Sequence, residues 1–258
     1  MSDLRVTLVQ ESLHWENVTE NLRQFASFIR QFKNATDVII LPEMFSTGFS
    51  MNTSALAEEM NGKTVSWMKM MAAEVNAVIT GSIIISENGN YYNRLIWMRP
   101  DGTQEHYDKR HLFSMGDEDK HYSAGNKRLI VSLNGWNICP QICYDLRFPV
   151  WNRNRNDYDL LIFVASWPEP RNFAWKHLLQ ARAIENQSYV IGVSRIGNDG
   201  HAIYHSGDSA LIDPLGEVVF TQADTAFAKT FTISKERLEY VRSKMPFLKD
   251  ADEFEIKT

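Results

Sequence analysis

Apolar and polar positions along the chain fall into two alternating patterns, short β-branched runs and longer stretches of helical period. Residues 4–9 alternate as a strand does. Residues 21–32 then place Leu22, Phe25, Ala26, Phe28, Ile29 and Phe32 at the spacing that forms one apolar helix face. Residues 38–41 form a continuous apolar run stopped by Pro42. The pattern predicts a helix over 65–75, a strand over 77–85 broken at Gly81, and a strand over 92–98 closed by Pro100-Asp101-Gly102. A polar, irregular stretch from 106 to 126 precedes strands at 129–133 and 137–142. Asn134-Gly135 between them is a strong hairpin signal. A fully apolar strand over 160–166, a helix over 173–186 and a strand over 189–194 follow. A last hairpin, 209–212 with 217–220, turns on Asp213-Pro214-Leu215-Gly216.

Near-continuous apolar strands separated by helices imply sheets covered on both faces, an α/β architecture. The chain contains no internal repeat, low-complexity tract or Pro/Ser-rich linker, so a single domain over 1–258 is expected. Ligands of such sheets gather beyond the carboxyl ends of strands. Three strands end abruptly in unusual residues: 38–41 in Pro42-Glu43, 137–142 in Cys143, and 160–166 in Trp167-Pro168. Their positions point to a shared site without naming a reaction.

Composition narrows the classes. A chain of 258 residues with 44% hydrophobic and 23% charged residues is ordinary for a globular protein. A net charge of −5 argues against an electrostatic nucleic-acid binder. The longest unbroken apolar run, 160–165, is far short of a membrane span. The opening Met1-Ser2-Asp3-Leu4-Arg5 lacks the pattern of a signal peptide. Two cysteines, Cys139 and Cys143, lie four residues apart on one predicted strand, about 13 Å in extended chain and beyond disulfide reach. A reduced, cytoplasmic location is therefore expected.

Chemistry begins with Cys143, where a buried strand gives way to polar residues. A thiolate is a strong nucleophile that needs a nearby base or cation. Cysteine is also a common core filler, and Cys139 is read that way. None of the seven histidines stands at a recognisable spacing to Cys143. Glu43 is oddly placed for a carboxylate unless paired or functional, and Lys109 is flanked by Tyr107 and Phe113. Read singly, Lys109 is a surface lysine and Asp117-Glu118-Asp119 a solvated loop. His201 and His205 are four apart but lie in a Gly/Asp-rich loop with no third metal ligand suggested. No phosphate-cradling glycine pattern, Gly-x-Ser-x-Gly elbow, Cys-x-x-Cys or His-Glu-x-x-His occurs.

The order of these residues is more telling than any one of them. Leu41-Pro42-Glu43, Lys109-Arg110-His111-Leu112-Phe113 and Cys143-Tyr144-Asp145-Leu146-Arg147-Phe148-Pro149 together resemble the Glu–Lys–Cys signature of the nitrilase, or carbon–nitrogen hydrolase, superfamily. The 181–187 helix segment and Gly207-Asp208-Ser209 before 213–217 resemble it too, so the similarity runs from the first strand to about residue 233. The form around Cys143 is most similar to the omega-amidase branch, whose members hydrolyse the terminal amide of 2-oxoglutaramate and 2-oxosuccinamate. The resemblance implies a four-layer α-β-β-α sandwich, core 4–233 with a tail over 234–258, commonly a homodimer, using neither metal nor organic cofactor. It implies Cys143 as nucleophile, Glu43 as general base and acid, and Lys109 with the Tyr144 backbone N–H as oxyanion donors. It points to Glu118 as a second, substrate-positioning glutamate, to Arg147 as a carboxylate binder, and to Trp167 as a pocket aromatic. For Arg147 the competing expectation is a structural ion pair with Asp145; for Trp167 it is core packing. Hydrolysis of a nitrile or an N-carbamoyl amino acid, or a catalytically silent association scaffold, are the alternative functions.

Overall fold

The computed structural model describes residues 2–256. Its strands are β1 (Leu4–Gln10), β2 (Val38–Ile40), β3 (Val78–Glu87), β4 (Asn90–Met98), β5 (Gln104–Asp108), β6 (Val131–Leu133), β7 (Trp136–Ile142), β8 (Leu160–Ala165), β9 (Tyr189–Ser194), β10 (Ile196–Asn198), β11 (Tyr204–Ile212), β12 (Val218–Ala223) and β13 (Phe227–Ile233). The α-helices are α1 (Val18–Ile29), α2 (Thr53–Leu56), α3 (Lys63–Val75), α4 (Glu118–His121), α5 (Pro149–Asn152), α6 (Asn172–Asn186) and α7 (Lys235–Lys244).

One sheet has the order β13-β1-β2-β3-β4-β5, with β1, β2 and β3 parallel. The other runs β10-β11-β9-β8-β7-β6, with β7, β8 and β9 parallel and β12 paired to β11. Alternation along the strands sorts side chains into layers. From β1, Leu4, Val6 and Leu8 meet Ile138, Leu160, Ile162 and Ile191 of the other sheet in the central core. The opposite face of the first sheet, with Ile39, Ile79 and Ile83, receives Phe25 and Ile29 of α1 and Met68 and Met71 of α3. The opposite face of the second sheet, with Leu161, Phe163 and Val190, receives Trp175, Leu179 and Ala183 of α6. The result is the four-layer α-β-β-α sandwich.

Two details depart from the sequence expectation, and a third adds to it. Gly81 does not break its strand: β3 runs unbroken from Val78 to Glu87, and the glycine is needed because a Cβ there would meet Leu41 and Phe45 at 2.9 Å. The 106–126 stretch is not wholly irregular, since it contains the end of β5 and the short α4. Residues 234–256 are no detached tail. Helix α7 buries Leu238 and Val241, and Arg242 and Lys235 both pair with Asp159, at 2.9 and 2.6 Å. The tail thus packs on its own core.

Candidate active site

Glu43, Lys109 and Cys143 lie at the ends of three different strands, and the sandwich brings them to one cavity of about 220 Å³. Glu43 follows β2, where the chain is pinned to β3 by Leu41 N–H donating to Thr80 O at 2.7 Å and Met44 N–H to Ser82 Oγ at 2.9 Å. Lys109 follows β5. Its carbonyl accepts from Gly125 N–H at 2.9 Å, an approach so close that a Cβ on Gly125 would stand 2.2 Å from Asp108 O.

Cys143 has φ +44°, a left-handed conformation costly for a non-glycine residue, and it turns the chain from β7 into a short 3₁₀ helix, Cys143–Arg147. Asp145 holds that turn. Its buried carboxylate accepts from Ile142 N–H at 3.1 Å, Tyr107 Oη at 2.8 Å and His111 N–H at 3.0 Å, and it meets His111 Nδ1 at 2.7 Å. From α6, Arg182 donates to Leu146 O at 3.0 and 2.6 Å. The Cys143 turn and the Lys109 loop are therefore tied to a common buried carboxylate.

At the floor of the cavity, Lys109 Nζ donates to Glu43 Oε1 at 2.8 Å and to Glu118 Oε2 at 2.8 Å. All three side chains are almost fully buried. Asn93 Nδ2 donates to both carboxylates, at 2.8 Å to Glu43 and 3.0 Å to Glu118. Glu43 Oε2 accepts from Ser166 N–H at 2.8 Å, and Glu118 Oε2 from Phe113 N–H at 2.6 Å. Burial works against the Lys109 ammonium, but Glu118 and Glu43 outweigh it and hold its pKa above the ordinary lysine value. Burial pushes the Glu118 carboxyl up, with Glu43 adding to the shift and Lys109 opposing it. Cys143 keeps some exposure through the cavity, yet burial followed by the charge of Glu43 pushes its thiol well above the usual range, against the pull of Lys109. Burial and the neighbouring carboxylate thus favour the protonated thiol over the thiolate.

The other expected residues fall into place unequally. Tyr144, Arg147 and Trp167 all line the cavity, while Glu118 lies behind Lys109. Tyr144 packs its ring on Phe113 and Phe148, at 5.2 and 5.1 Å between centroids. The expected alternative of an Arg147–Asp145 ion pair is absent, because Asp145 is taken up by Tyr107, His111 and Ile142. Arg147 instead lies over the Trp167 ring at 5.0 Å. Cys139 is fully buried on the helix side of its sheet, its thiol pushed up to about 11 by burial. His201 and His205 join the cavity wall with Asp199, and no three His, Cys, Asp or Glu side chains are grouped to hold a metal among the described residues.

Sequence reasoning missed Asn93, whose signal was the polar pair Asn93-Arg94 inside an otherwise apolar strand. It also missed the rim residues Arg171, Phe49, Met51 and Met115, which no motif flags.

Fold and site together define a carbon–nitrogen hydrolase, and comparison with known proteins agrees. The carbon-nitrogen hydrolase family model matches residues 5–243, so the chain belongs to that family. It is 47% identical to the omega-amidase YafV of Escherichia coli K12, over 99% of this chain and 100% of that one. It is 33% identical to the 2-oxoglutaramate amidase of Bacillus subtilis 168, covering 83% of this chain and 84% of the relative. Among solved structures, XC1258 from Xanthomonas campestris, a CN-hydrolase superfamily protein carrying an arsenic adduct in its active site, superposes with a TM-score of 0.97. It shares 44% identity, with full coverage of both chains.

Proposed function

We propose that this chain is an omega-amidase, a thiol amidohydrolase that releases ammonia from the terminal amide of small 2-oxo acids such as 2-oxoglutaramate and 2-oxosuccinamate. The observation that carries the proposal is the meeting of Cys143 with the paired Glu43 and Lys109 in one cavity that also presents Arg147 free of any acid partner among the described residues.

Because the thiol is neutral at rest, its proton must leave as it attacks. Glu43 takes that proton while the sulfur bonds to the amide carbon and the carbonyl electron pair moves onto oxygen. The resulting oxyanion is stabilised by the Lys109 ammonium and by the N–H of Tyr144, which lies in the first turn of its 3₁₀ helix, where no intrahelical acceptor exists. Glu43 then protonates the departing nitrogen, the carbon–nitrogen bond breaks, and ammonia leaves a thioester on Cys143. Water enters, yields a proton to Glu43 and adds to the thioester; the carbon–sulfur bond breaks and the thiol is restored. Glu118 and Asn93 hold Lys109 and Glu43 in register throughout, and Arg147 receives the substrate carboxylate.

A homodimer belongs to the same reading, supported by the apolar side chains that α6 leaves outward, Phe173 at 72% and Ile184 at 51% exposure. Sedimentation velocity checks it against the monomer mass of 29.8 kDa. A cytoplasmic location suits two free thiols.

The test is ammonia release from 2-oxoglutaramate, a small nitrile and an N-carbamoyl amino acid, run side by side. The expected result is turnover of 2-oxoglutaramate far above the other two. Preferential turnover of the nitrile or the carbamoyl compound overturns the substrate reading, and no turnover of any of them favours a silent scaffold.

A further inference from the structure

We infer that Arg171 is a second substrate-binding guanidinium, which works with Arg147 to select an amide carrying a 2-oxo carboxylate over one carrying a carboxylate alone. The inference rests on the omega-amidase reading above and deepens it. Arg171 lines the same cavity as Cys143, Glu43 and Arg147. It stands at the start of α6, and its backbone is fixed there: its N–H donates to Pro168 O at 3.0 Å, and its carbonyl accepts from Trp167 Nε1 at 2.8 Å. Its guanidinium lies over the Phe113 ring at 4.9 Å, as that of Arg147 lies over Trp167 at 5.0 Å. Both cations are thus parked on aromatic faces, and neither has a carboxylate partner among the described residues.

The charges lining the cavity explain what the two can take. The Lys109 ammonium is already shared between Glu43 and Glu118. Asp199, the other acid in the wall, has its Oδ1 occupied by the N–H groups of His201 and Ile203, at 2.8 and 2.9 Å. His205 is neutral, its pKa lowered to about 4 by burial and then by Arg195. At the rim this leaves two guanidinia facing the single acid Asp199, so cations outnumber anions where a substrate carboxylate would be received.

One guanidinium fork satisfies the two oxygens of a carboxylate. A 2-oxo carboxylate presents a third oxygen beside them. A second planar donor in the same wall can meet that oxygen together with the outer lone pairs of the carboxylate. Because the head group bears the negative charge, both contacts are charge-assisted, and losing one is felt strongly.

The experiment compares the wild type with Arg171→Met and Arg171→Lys on three substrates: 2-oxoglutaramate, the monoamide of glutaric acid, and butyramide. Melting temperatures are recorded for each protein. Arg171→Met is expected to raise KM for 2-oxoglutaramate tenfold or more, and to abolish most of the wild-type preference for it over the glutaric monoamide. Arg171→Lys should restore part of that preference. An equal loss on all three substrates makes Arg171 a latch that holds Phe113 in place and overturns the inference. So does an unchanged preference in Arg171→Met. Both of those outcomes leave the omega-amidase reading standing. A wild type that releases no ammonia from 2-oxoglutaramate overturns both together.

Discussion

The floor and the rim of the cavity are built on opposite physical terms. The floor packs Glu43, Lys109 and Glu118 at almost no exposure, joined at 2.8 Å and bridged by Asn93. The two carboxylates share the one ammonium and the Asn93 amide, since an ion left without partners in such a place costs several kcal/mol. The rim, at 113–116, 147, 167–171 and 199–205, is half open, and its two guanidinia rest on rings and not on acids. A fixed, dry cluster is suited to stabilising charge that develops in a transition state, because its dipoles need no reorganisation. Cations held only by aromatic faces are suited to exchanging that contact for an anionic ligand. On the proposed mechanism, bond-breaking falls to the floor and substrate choice to the rim.

The largest effect falls on the floor. Cys143→Ala should abolish ammonia release and keep the fold, while Cys139→Ala, at a residue buried in the core on the α6 side of its sheet, should keep most activity. Mass mapping after iodoacetamide inactivation should find the label on Cys143; a label on Cys139 that tracks the loss of activity contradicts the assignment. Glu43→Gln should be nearly as damaging as loss of the thiol, because the amide is isosteric but takes no proton. Lys109→Met should remove about 3–4 kcal/mol of transition-state stabilisation, the scale of one oxyanion donor. A kcat close to wild type in either variant would rule out the role given to that residue.

How much of this was legible in the sequence follows the same division. Strands such as 160–165 and 189–194 could be read because burial on both faces leaves continuous apolar runs. Glu43 and Cys143 could be read because an abrupt polar residue at the end of such a run is unusual. The path of residues 106–126 could not. That segment is held by Glu118 accepting from Phe113 N–H and by Lys109 O accepting from Gly125 N–H, contacts between loops that leave no periodicity. Glu118 taken singly looked like part of a solvated acidic loop; the family resemblance pointed to it as a second glutamate, and the fold sets it against Lys109. Helix α7 was invisible as a core element because only Leu238 and Val241 of its residues are buried. Arg171 was missed because a rim cation in a turn looks like any surface arginine until the cavity is seen.

The rim also contains a buried exception to its openness. His205 is held neutral, with its pKa lowered from 6.5 to about 4 by burial and by Arg195. Between those values the unfolded chain binds a proton that the folded chain refuses, so stability falls as pH drops from about 6.5 towards 4 and then levels off. The loss from this residue should reach about 3 kcal/mol. His205→Gln should flatten the slope of urea-unfolding free energy over that window, and an unchanged slope would show that other groups carry it.

The smallest of the expected effects, and the most selective, belongs to Arg147. Arg147→Met should lower kcat/KM for 2-oxoglutaramate by about two orders of magnitude at most, since one charge-assisted contact contributes about 1.5–3 kcal/mol. An equal loss on butyramide together with a lowered Tm would identify Arg147 as a structural residue.

The most direct test of the division between floor and rim is the ratio of kcat/KM for 2-oxoglutaramate to that for butyramide, measured in the wild type, Lys109→Met and Arg147→Met. Lys109→Met is expected to slow both substrates alike and leave the ratio where it was, whereas Arg147→Met is expected to collapse the ratio towards one. A ratio that shifts in Lys109→Met as far as in Arg147→Met would contradict that division.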